Sequence, residues 1–390
     1  MANASAPPGA ERPGSTVTLV DVRESLHLAE PPRHFGERDL VARYRAILDG
    51  PRLDWVEHQR LLRRLGSGGQ GIVFLGERCG ADGFRLPVAL KVFSPERYAD
   101  DEAYDAAMAR MARVAARVAR IQQDHLIDVH NFIAPGGVRV MEMEWVEGYD
   151  LERLLTPGML RRARERVGDG RWAYLNDVIV TAGPVQPRLK PGIAIALLRD
   201  GLAALSALHR GGVVHGDVKP SNLMLKRTGH AKLIDIGAAF LRDAPPSRST
   251  CTPAYAAPEV LAGAVGTERS DLTSLGYVLV EMLAGASPFE GLSRVGDLRE
   301  AKLTILDRLP AILPDEVVRN DLLMGLIAGL VAPDPADRFP DAEAADLVKE
   351  GAASFQRQLV KGDLASEYDN EIRVWLEELE HEPDCSGNAA

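Results

Sequence analysis

A glycine-rich run near the start of the chain has the spacing of a phosphate-binding loop. Residues 65–73 read Leu-Gly-Ser-Gly-Gly-Gln-Gly-Ile-Val and contain the pattern G-x-G-x-x-G-x-V. Glycines carry no side chains, so backbone N–H groups can approach phosphate oxygens closely. A similar spacing opens dinucleotide-binding folds, but there a helix follows, whereas Ile72-Val73-Phe74-Leu75 continues as an apolar strand. The run therefore predicts a phosphate-binding turn between two strands, or a glycine-rich turn without a ligand.

A lysine lies at the end of an apolar run on the next predicted strand, Val88-Ala89-Leu90-Lys91. Burying an ammonium group without a partner is costly, and the phosphates of a bound nucleotide would give Lys91 such a partner. The alternative is a lysine on an edge strand that points to water.

The run with the most specific pattern is residues 215–223, His-Gly-Asp-Val-Lys-Pro-Ser-Asn-Leu, and a short strand then leads to Asp235-Ile236-Gly237. A carboxylate at Asp235 would suit Mg²⁺, which requires hard oxygen ligands. The alternative is that Asp217 and Asp235 are acidic loop residues that each cap a turn. With the glycine run and Lys91, these motifs resemble, in order, the G-x-G-x-x-G-x-V, V-A-I-K, H-R-D-L-x-x-x-N and D-F-G motifs of protein kinases. From about residue 59 to residue 351, the chain resembles bacterial eukaryotic-like Ser/Thr protein kinases.

The resemblance implies ATP as the phosphoryl donor, with Mg²⁺, or alternatively Mn²⁺, as the metal. It implies that Asp217 orients a protein hydroxyl and accepts its proton, and that Lys219 neutralises charge on the transferred group. Asn222 and Asp235 would hold the metal. The residues implied at the nucleotide are Gly66, Ser67, Gly68, Gly69, Gln70, Gly71, Val73, Ala89, Lys91, Met143, Glu144, Val146, Asp150 and Leu223.

Further segments resemble structural parts of the same family. Residues 140–146 resemble the strand and hinge that bind adenine, with Met143 in the gatekeeper position and the backbone of Glu144 and Val146 as adenine contacts. Residues 251–259 resemble the T-P-x-Y-x-A-P-E segment, which contains Thr252. The resemblance implies that Glu259 pairs with Arg338 and that Asp271 braces the backbone of the catalytic loop.

Small-molecule phosphotransferases of the aminoglycoside and choline kinase type also carry an H-G-D segment, which Gly216 matches. Lys219, Thr252 and the segment Ala257-Pro258-Glu259 favour Ser/Thr protein kinases instead. Gly216 also replaces the arginine that reads a phosphate on the family's activation loop. Ser247, Ser249 and Thr250 are therefore predicted to be solvated loop residues rather than switches.

A second departure concerns the helix that follows Lys91. No acidic residue occurs between Asp105 and Asp124, although the family's αC helix places a glutamate against the strand lysine. Val114, or with a shift in the alignment a residue from Ala112 to Ala116, takes that position, and Glu102 is roughly 15–18 Å away along a helix. Either another carboxylate or ATP itself holds Lys91 in an active enzyme, or the chain is a nucleotide-binding pseudokinase scaffold. The presence of Asp217, Lys219, Asn222 and Asp235 favours activity.

The order of the strand and helix patterns predicts an α+β, two-lobed protein-kinase-like fold, with a small β-rich N-lobe and a larger α-helical C-lobe. Strand patterns dominate up to about residue 143, and helical patterns dominate after it. The predicted boundaries are a flexible leader at 1–36, a helical extension at 37–58, a kinase domain at 59–351 (N-lobe 59–143, C-lobe 147–351, insert about 159–190) and an acidic helical tail at 352–390.

Three segments offer surfaces for a protein partner. Arginines at 110, 113, 117 and 120 share one face of the αC-like helix. This face either contacts a partner or is a solvated basic face. The long insert could contact a protein substrate or be disordered. The amphipathic tail helix, with Ile372, Trp375, Leu376 and Leu379 at helical spacing, could dock near that αC-like helix or bind a substrate or partner.

Composition limits the remaining possibilities. The net charge of −10 argues against a general nucleic-acid binder. The three cysteines are widely spaced, which favours a reducing, cytoplasmic compartment over a disulfide framework. The most apolar stretch, residues 322–332, is about half the roughly 20 residues that span a bilayer, so membrane insertion is not expected.

Overall fold

The computed structural model describes residues 17–18, 39–49, 59–247, 250–349, 351–360 and 368–380. Most of the predicted leader, part of the predicted extension at 37–58, and Ser249 lie outside the described residues. Of the leader, strand β1 (Val17–Thr18) pairs antiparallel with Thr250–Cys251. Of the extension, helix α1 (Leu40–Asp49) is described.

The N-terminal lobe is a five-stranded antiparallel sheet. Its strands lie in the order β2-β3-β4-β6-β5, so β4 is an inner strand. Helix α1 places Tyr44 in an apolar cluster with Phe74, Val88 and Leu90 of the sheet. The predicted helical extension therefore docks on this lobe. The strands are β2 (Gln59–Gly68), β3 (Gly71–Cys79), β4 (Arg85–Phe93), β5 (Val129–Ile133) and β6 (Val140–Glu144).

Helix α2 (Asp101–Val118) follows β4 and is the predicted αC-like helix. Its first turn is capped by Asp100, whose side chain accepts a hydrogen bond from the Ala103 N–H at 2.7 Å. Apolar side chains at helical spacing bury one face, and the predicted arginine face is exposed. The buried residues of α2 include Tyr104, Met108, Met111, Val114, Ala115 and Val118.

Two apolar helices form the centre of the C-terminal lobe. The leucines of both helices are buried, and the helices pack against each other. Among the described residues, one helix, Pro191–Arg210, is long and apolar enough to cross a membrane, and 72% of its most apolar window is buried inside the protein. The two helices are α6 (Pro191–Arg210) and α8 (Glu268–Ala284). The helices between β6 and α8 are, besides α6, α3 (Leu151–Leu154), α4 (Pro157–Arg166), α5 (Asp169–Tyr174) and α7 (Pro258–Leu261). The strands in the same part of the chain are β7 (Gly148–Asp150), β8 (Val180–Thr181), β9 (Arg188–Leu189), β10 (Val213–Val214), β11 (Leu223–Lys226), β12 (Ala231–Leu233), β13 (Phe240–Leu241) and β14 (Thr250–Cys251).

The remaining helices complete the lobe: α9 (Val295–Leu303), α10 (Ile305–Ile312), α11 (Asp315–Val318), α12 (Asp321–Val331), α13 (Ala342–Leu347), α14 (Ala352–Val360) and α15 (Tyr368–Glu380). Helix α12 packs against α8. A β-sheet lobe is thus followed by a helical lobe, and the predicted two-lobed α+β fold is confirmed.

For the insert and for the tail, the structure decides between alternatives that the sequence left open. The insert is ordered, because α4, α5 and the β8–β9 hairpin lie in it, so the disordered interpretation is wrong. Helix α15 packs against α4 and α6 rather than near α2. Its apolar face, with Trp375 only 1% exposed, belongs to the main core.

Candidate functional site

Asp217 is the centre of a buried hydrogen-bond network between β10 and β11. One carboxylate oxygen, Oδ1, accepts hydrogen bonds from the Thr252 N–H at 2.9 Å and the Thr252 hydroxyl at 2.7 Å. The other oxygen lies 3.0 Å from the Lys219 ammonium group, which also donates to the Thr252 hydroxyl at 3.1 Å. Three residues that the sequence separates by up to 35 positions are therefore held in one cluster.

Asn222 follows in a short 3-10 turn, where its Nδ2 donates to the backbone oxygen of Asp217 at 2.8 Å. This bond ties the ends of the loop together and leaves the amide oxygen as the group that could contact a metal ion. The sequence-predicted residues Asp217, Lys219 and Asn222 thus lie side by side, each nearly buried.

Asp271 at the start of α8 braces the loop before Asp217. Its two carboxylate oxygens accept hydrogen bonds from the N–H groups of His215 and Gly216, each at 2.8 Å. His209, the second-last residue of α6, reaches the same carboxylate at 2.9 Å through Nε2. Gly216 has φ of +76°, a left-handed conformation that favours glycine. The loop therefore needs a glycine at this position for a backbone reason.

Lys91 lies on the inner strand β4, opposite Val73 on β3 and Met141 on β6. The residue is only 4% exposed, so the edge-strand alternative is wrong. Its ammonium group is 2.5 Å from Oδ1 of Asp235 and donates to the Gln70 side-chain oxygen at 2.8 Å. The carboxylate that holds Lys91 is thus supplied by Asp235.

Asp235 combines a strained backbone with a strongly acidic side chain. Its φ is +60°, which is unusual for a residue other than glycine. Burial alone would raise the pKa of Asp235, but the charge and hydrogen bond of Lys91, together with the Gly237 N–H, outweigh it and lower the pKa to about 2. The side chain remains 39% exposed. Asp235 is therefore an ionised carboxylate that is accessible to a metal ion.

The glycine-rich run forms the turn between β2 and β3. A Cβ at Gly66 or Gly68 would meet no atom of the described residues within 4 Å. At Gly71, with φ of +145°, an added Cβ would overlap the Val92 carbonyl oxygen. Gly71 is thus required by packing against β4, whereas Gly66 and Gly68 leave backbone open to a phosphate group.

Of the apolar residues predicted at the nucleotide, Ala89, Met143, Val146 and Leu223 are buried in the main core, and Val73 packs against that core. Two polar residues of the predicted set have structural partners. Glu144 forms an ion pair with Lys232 and accepts a hydrogen bond from the Asp128 N–H at 2.8 Å. Asp150 caps helix α3 by accepting from the Arg153 N–H at 2.8 Å, and burial raises its pKa.

The predicted pair of Glu259 and Arg338 is present. Two guanidinium nitrogens lie 2.7 Å from the two carboxylate oxygens, and the arginine side chain is fully buried. Burial raises the pKa of Glu259, but Arg338 outweighs that effect and lowers it overall. The pair joins helix α7 to the segment after α12.

Comparison with known proteins decides the family. Residues 60–349 match the family model described as protein kinase domain. The chain belongs to the protein kinase family.

Three bacterial proteins are among the curated relatives of this kinase domain. The chain is 32% identical over 285 residues to serine/threonine-protein kinase PknL of Mycobacterium tuberculosis, covering 72% of this chain and 62% of PknL. It is 33% identical over 290 residues to PknD of the same organism, covering 73% of this chain and 38% of PknD. It is 32% identical over 298 residues to PkaB of Streptomyces coelicolor, covering 73% of this chain and 61% of PkaB. The match thus spans less than two thirds of each of these relatives.

Val114 was predicted at the position of the αC glutamate, and it lies on α2. Val114 of α2 is buried, and it lines a cavity of about 300 Å³ that Gln70 and Gly237 also line. Gln70 from the glycine-rich turn fills the space beside Gly237, where an added Cβ would overlap its side-chain oxygen. An amide from the turn and a carboxylate from Asp235 are therefore the polar partners of Lys91.

Of the three hydroxyls predicted to be solvated, Ser247 is exposed and Thr250 is half-buried. The backbone of Thr250 pairs with Thr18 in the β1–β14 ladder. Thr250 is therefore a strand residue rather than a free loop residue, and the prediction is wrong at that position. Ser249 lies outside the described residues.

Two buried polar residues near the kinase site were not predicted from the sequence. His209 adds a third hydrogen bond to Asp271, and its signal was a histidine next to Leu208 near the end of the apolar helix α6. Lys302 of α9 donates to the backbone oxygens of Ala254 and Ala256, at 2.6 and 2.8 Å. Burial lowers its pKa well below the usual value. A lone lysine on a helix carries no sequence signal for such a role.

Proposed function

We propose that this chain is an active serine/threonine protein kinase that transfers the γ-phosphoryl group of ATP to protein hydroxyls, with autophosphorylation as one reaction. The observation that carries the proposal is the contact of Asp217 with both Lys219 and Thr252. The names of the relatives, each a serine/threonine-protein kinase, support the same reaction.

Asp217 is suited to orient an acceptor hydroxyl, because the Lys219 ammonium group and the Thr252 bonds fix its carboxylate. Lys219 lies next to it, where a positive charge would stabilise the transferred phosphoryl group. Catalysis of this kind depends on positioning and electrostatics more than on covalent chemistry.

The residues present fit Mg²⁺ and ATP. Asp235 is an ionised, accessible carboxylate, and Asn222 offers an amide oxygen, which are the hard ligands that Mg²⁺ prefers. Such an ion would neutralise the phosphate oxygens when bound, and Mn²⁺ accepts the same ligand types. Lys91 and the open backbone of Gly66 and Gly68 would contact the phosphates.

The missing αC glutamate does not favour a pseudokinase scaffold. In the family, that glutamate holds the strand lysine in place. Here Asp235 and Gln70 hold Lys91, so the lysine is positioned without a carboxylate from α2. ATP phosphates would replace the contact with Asp235, which frees that carboxylate for the metal.

We further propose the cytoplasm as the compartment, since Cys79 and Cys251 are both free thiols, and protein substrates as the partners. The exposed arginine face of α2 remains a candidate surface for a protein partner. No role with nucleic acid is proposed, because the net charge is −10.

The test is phosphotransfer by the purified chain with Mg²⁺ and radiolabelled ATP, with the chain itself as acceptor. We expect Asp217→Ala to lower the labelling rate by about 10²-fold or more, because a positioned general base contributes about 10²–10⁴-fold. Asp307→Ala is the matched control, since Asp307 is an exposed aspartate on α10. Equal labelling of the Asp217→Ala protein and the unmodified protein would defeat the proposal.

A further inference from the structure

Four potential metal ligands converge on the side of the molecule where α6 meets the tail helix. His125 comes from the loop after α2, Asp200 from α6, His230 from the β11–β12 turn and Asp369 from the first turn of α15. One ring nitrogen of each of the two histidines and one carboxylate oxygen of Asp200 lie within 4.8 Å of one another. None of these residues belongs to the candidate phosphotransfer site.

The separations between these groups are close to the ligand–ligand distances of a metal site, and they involve both carboxylate oxygens of Asp200. Nδ1 of His125 is 3.4 Å from Asp200 Oδ1, while Nδ1 of His230 is 3.6 Å from Asp200 Oδ2 and 3.8 Å from Asp369 Oδ1. Ligand atoms about 2.0–2.2 Å from a tetrahedral Zn²⁺ lie about 3.3–3.6 Å from each other. Hydrogen bonds between the same groups would be shorter, at about 2.7–3.2 Å.

The polar atoms of the cluster are incompletely paired. Nδ1 of His230 is buried and makes no hydrogen bond within the described part of the chain. Asp200 accepts a hydrogen bond from the Ala231 N–H at 2.7 Å. Nearby Lys226 and Arg199 are bonded elsewhere, to the Asp124 carbonyl oxygen at 3.3 Å and to Asp346 at 2.7 Å. Two carboxylates therefore face one imidazole, an arrangement that a divalent cation would neutralise.

His125 has a backbone contact typical of a ligating histidine. Its Nδ1 lies 3.0 Å from the Ala231 carbonyl oxygen. A bound ion would take the ring through Nδ1 or, with Nδ1–H donated to that carbonyl, through Nε2. Metal-bound histidines usually donate their second ring N–H to such a group.

Two glycines fix the start of α15 against the cluster. At Gly229, with φ of +91°, an added Cβ would overlap the Asp369 carbonyl oxygen, and at Gly192 it would overlap the Tyr368 ring. The β11–β12 turn and α6 therefore touch the first two residues of α15 directly. This close packing places Asp369 beside His230.

We propose that His125, Asp200, His230 and Asp369 bind a divalent transition-metal ion, Zn²⁺ by its chemistry, and that this ion joins the tail helix to the kinase domain. Two imidazoles and two carboxylates suit Zn²⁺, whereas Mg²⁺ prefers six oxygen ligands. The ion is separate from the metal that Asp235 would hold. It would be structural, because its ligands come from four separate segments of the chain and none of them belongs to the candidate phosphotransfer site.

The test uses the full chain, purified without a histidine tag, freed of metal with a chelator and titrated with Co²⁺ in excess Mg²⁺. We expect one Co²⁺ per chain with the visible absorption of a tetrahedral site, displacement by Zn²⁺, and a higher Tm with Zn²⁺. His230→Ala should weaken Co²⁺ affinity at least about tenfold. His130→Ala is the matched control, because His130 is also a partly exposed histidine beside a carboxylate, 28% against 39% for His230.

A second variant keeps the test decisive if His230→Ala disturbs folding. The Asp369 side chain is 56% exposed, so Asp369→Asn should fold, bind Co²⁺ more weakly and lose part of the Zn²⁺-dependent rise in Tm. The absence of Co²⁺ binding at micromolar concentration, or equal affinity in Asp369→Asn, His230→Ala and the unmodified chain, would overturn the proposal. These readouts do not depend on phosphotransfer, so they separate this proposal from the proposed kinase activity.

Discussion

Gly216 has a backbone role at a position where the family has an arginine side chain. With φ of +76°, it allows its own N–H and that of His215 to reach Asp271. An added Cβ would lie 3.1 Å from the Ala238 carbonyl oxygen. An arginine placed here would therefore strain the loop that carries Asp217.

We predict that Gly216→Ala destabilises the protein by about 1–2 kcal/mol, the usual cost of a left-handed conformation for a residue with a Cβ. Denaturant unfolding measures this change. The control is Gly170→Ala in α5, where an added Cβ meets no described atom within 4 Å and helix propensity favours alanine. Equal stability of the Gly216→Ala protein and the unmodified protein would show that the loop tolerates the Cβ.

Arg338 is a second residue with a large individual effect, because its contribution to the unfolding free energy depends on burial as well as on charge. Its side chain is fully buried and forms two bonds of 2.7 Å with Glu259. We predict that Arg338→Ala costs about 3–5 kcal/mol of unfolding free energy, since it leaves a carboxylate without its partner. Arg242→Ala is the matched control: its pair with Glu268 is 2.6 Å long but the arginine is 64% exposed, so about 0–1 kcal/mol is expected.

The same variant has a pH dependence of defined sign. The pKa of Glu259 in the folded protein is below its ordinary value of 4.5. The pair therefore contributes its full stability above about pH 4.5, and this stability is lost as the pH falls through the lowered pKa. The difference in unfolding free energy between Arg338→Ala and the unmodified protein should shrink below pH 4.5. A difference that grows on acidification would contradict the assignment.

At the scale of elements, the local pattern predicts strands and helices well where periodicity and motif coincide. The apolar runs at Ile72–Leu75 and Val88–Lys91 lie within β3 and β4, and the apolar face of the tail helix is buried as its spacing predicts. The partner of Lys91 could not be predicted in this way, because Asp235 lies 144 residues along the chain. Only the folded backbone brings the two together.

The tail helix shows the same limit. Its apolar face is visible in the sequence, but the surface that covers it depends on tertiary packing. Arg171 of the insert pairs with Glu371 at 3.1 Å and with Glu378 at 2.8 Å, which favours α4 and α5 over the basic face of α2. Both surfaces carry arginines, so charge pattern alone could not separate them.

We predict that Trp375→Ala releases α15 from this surface. The indole is 1% exposed, and truncating a buried tryptophan costs about 3–5 kcal/mol. Hydrogen exchange should then accelerate in residues 368–380 and in α5. Because the indole Nε1 makes no hydrogen bond within the described residues, Trp375→Phe should retain most of the protection.

The control for the tail helix is Arg373→Ala. Arg373 forms an exposed i,i+4 pair with Glu377 at 2.6 Å, and such pairs contribute little. Exchange in α15 should not change in this variant. Unchanged exchange in Trp375→Ala would contradict docking of the helix on the insert.

At the scale of the whole molecule, the candidate site belongs to both lobes. Lys91 and the glycine-rich turn lie in the N-terminal lobe, while Asp217, Asn222 and Asp235 lie in the C-terminal lobe. A nucleotide between them would join the lobes and bind only the folded state. Its binding should therefore appear as a rise in the stability of the entire domain.

We predict that Mg²⁺ with ADP at about 100 times its Kd raises the unfolding free energy by about 2.7 kcal/mol, which corresponds to a Tm increase of several degrees for a domain of this size. Asp235→Asn should remove the Mg²⁺-dependent part of the increase, because it removes the ionised carboxylate that would hold Mg²⁺. Asp307→Asn on the surface of α10 should keep the full increase. A Tm that is unchanged by ADP with either Mg²⁺ or Mn²⁺ would mean that the two lobes do not form a nucleotide site, and the kinase proposal would fall with it.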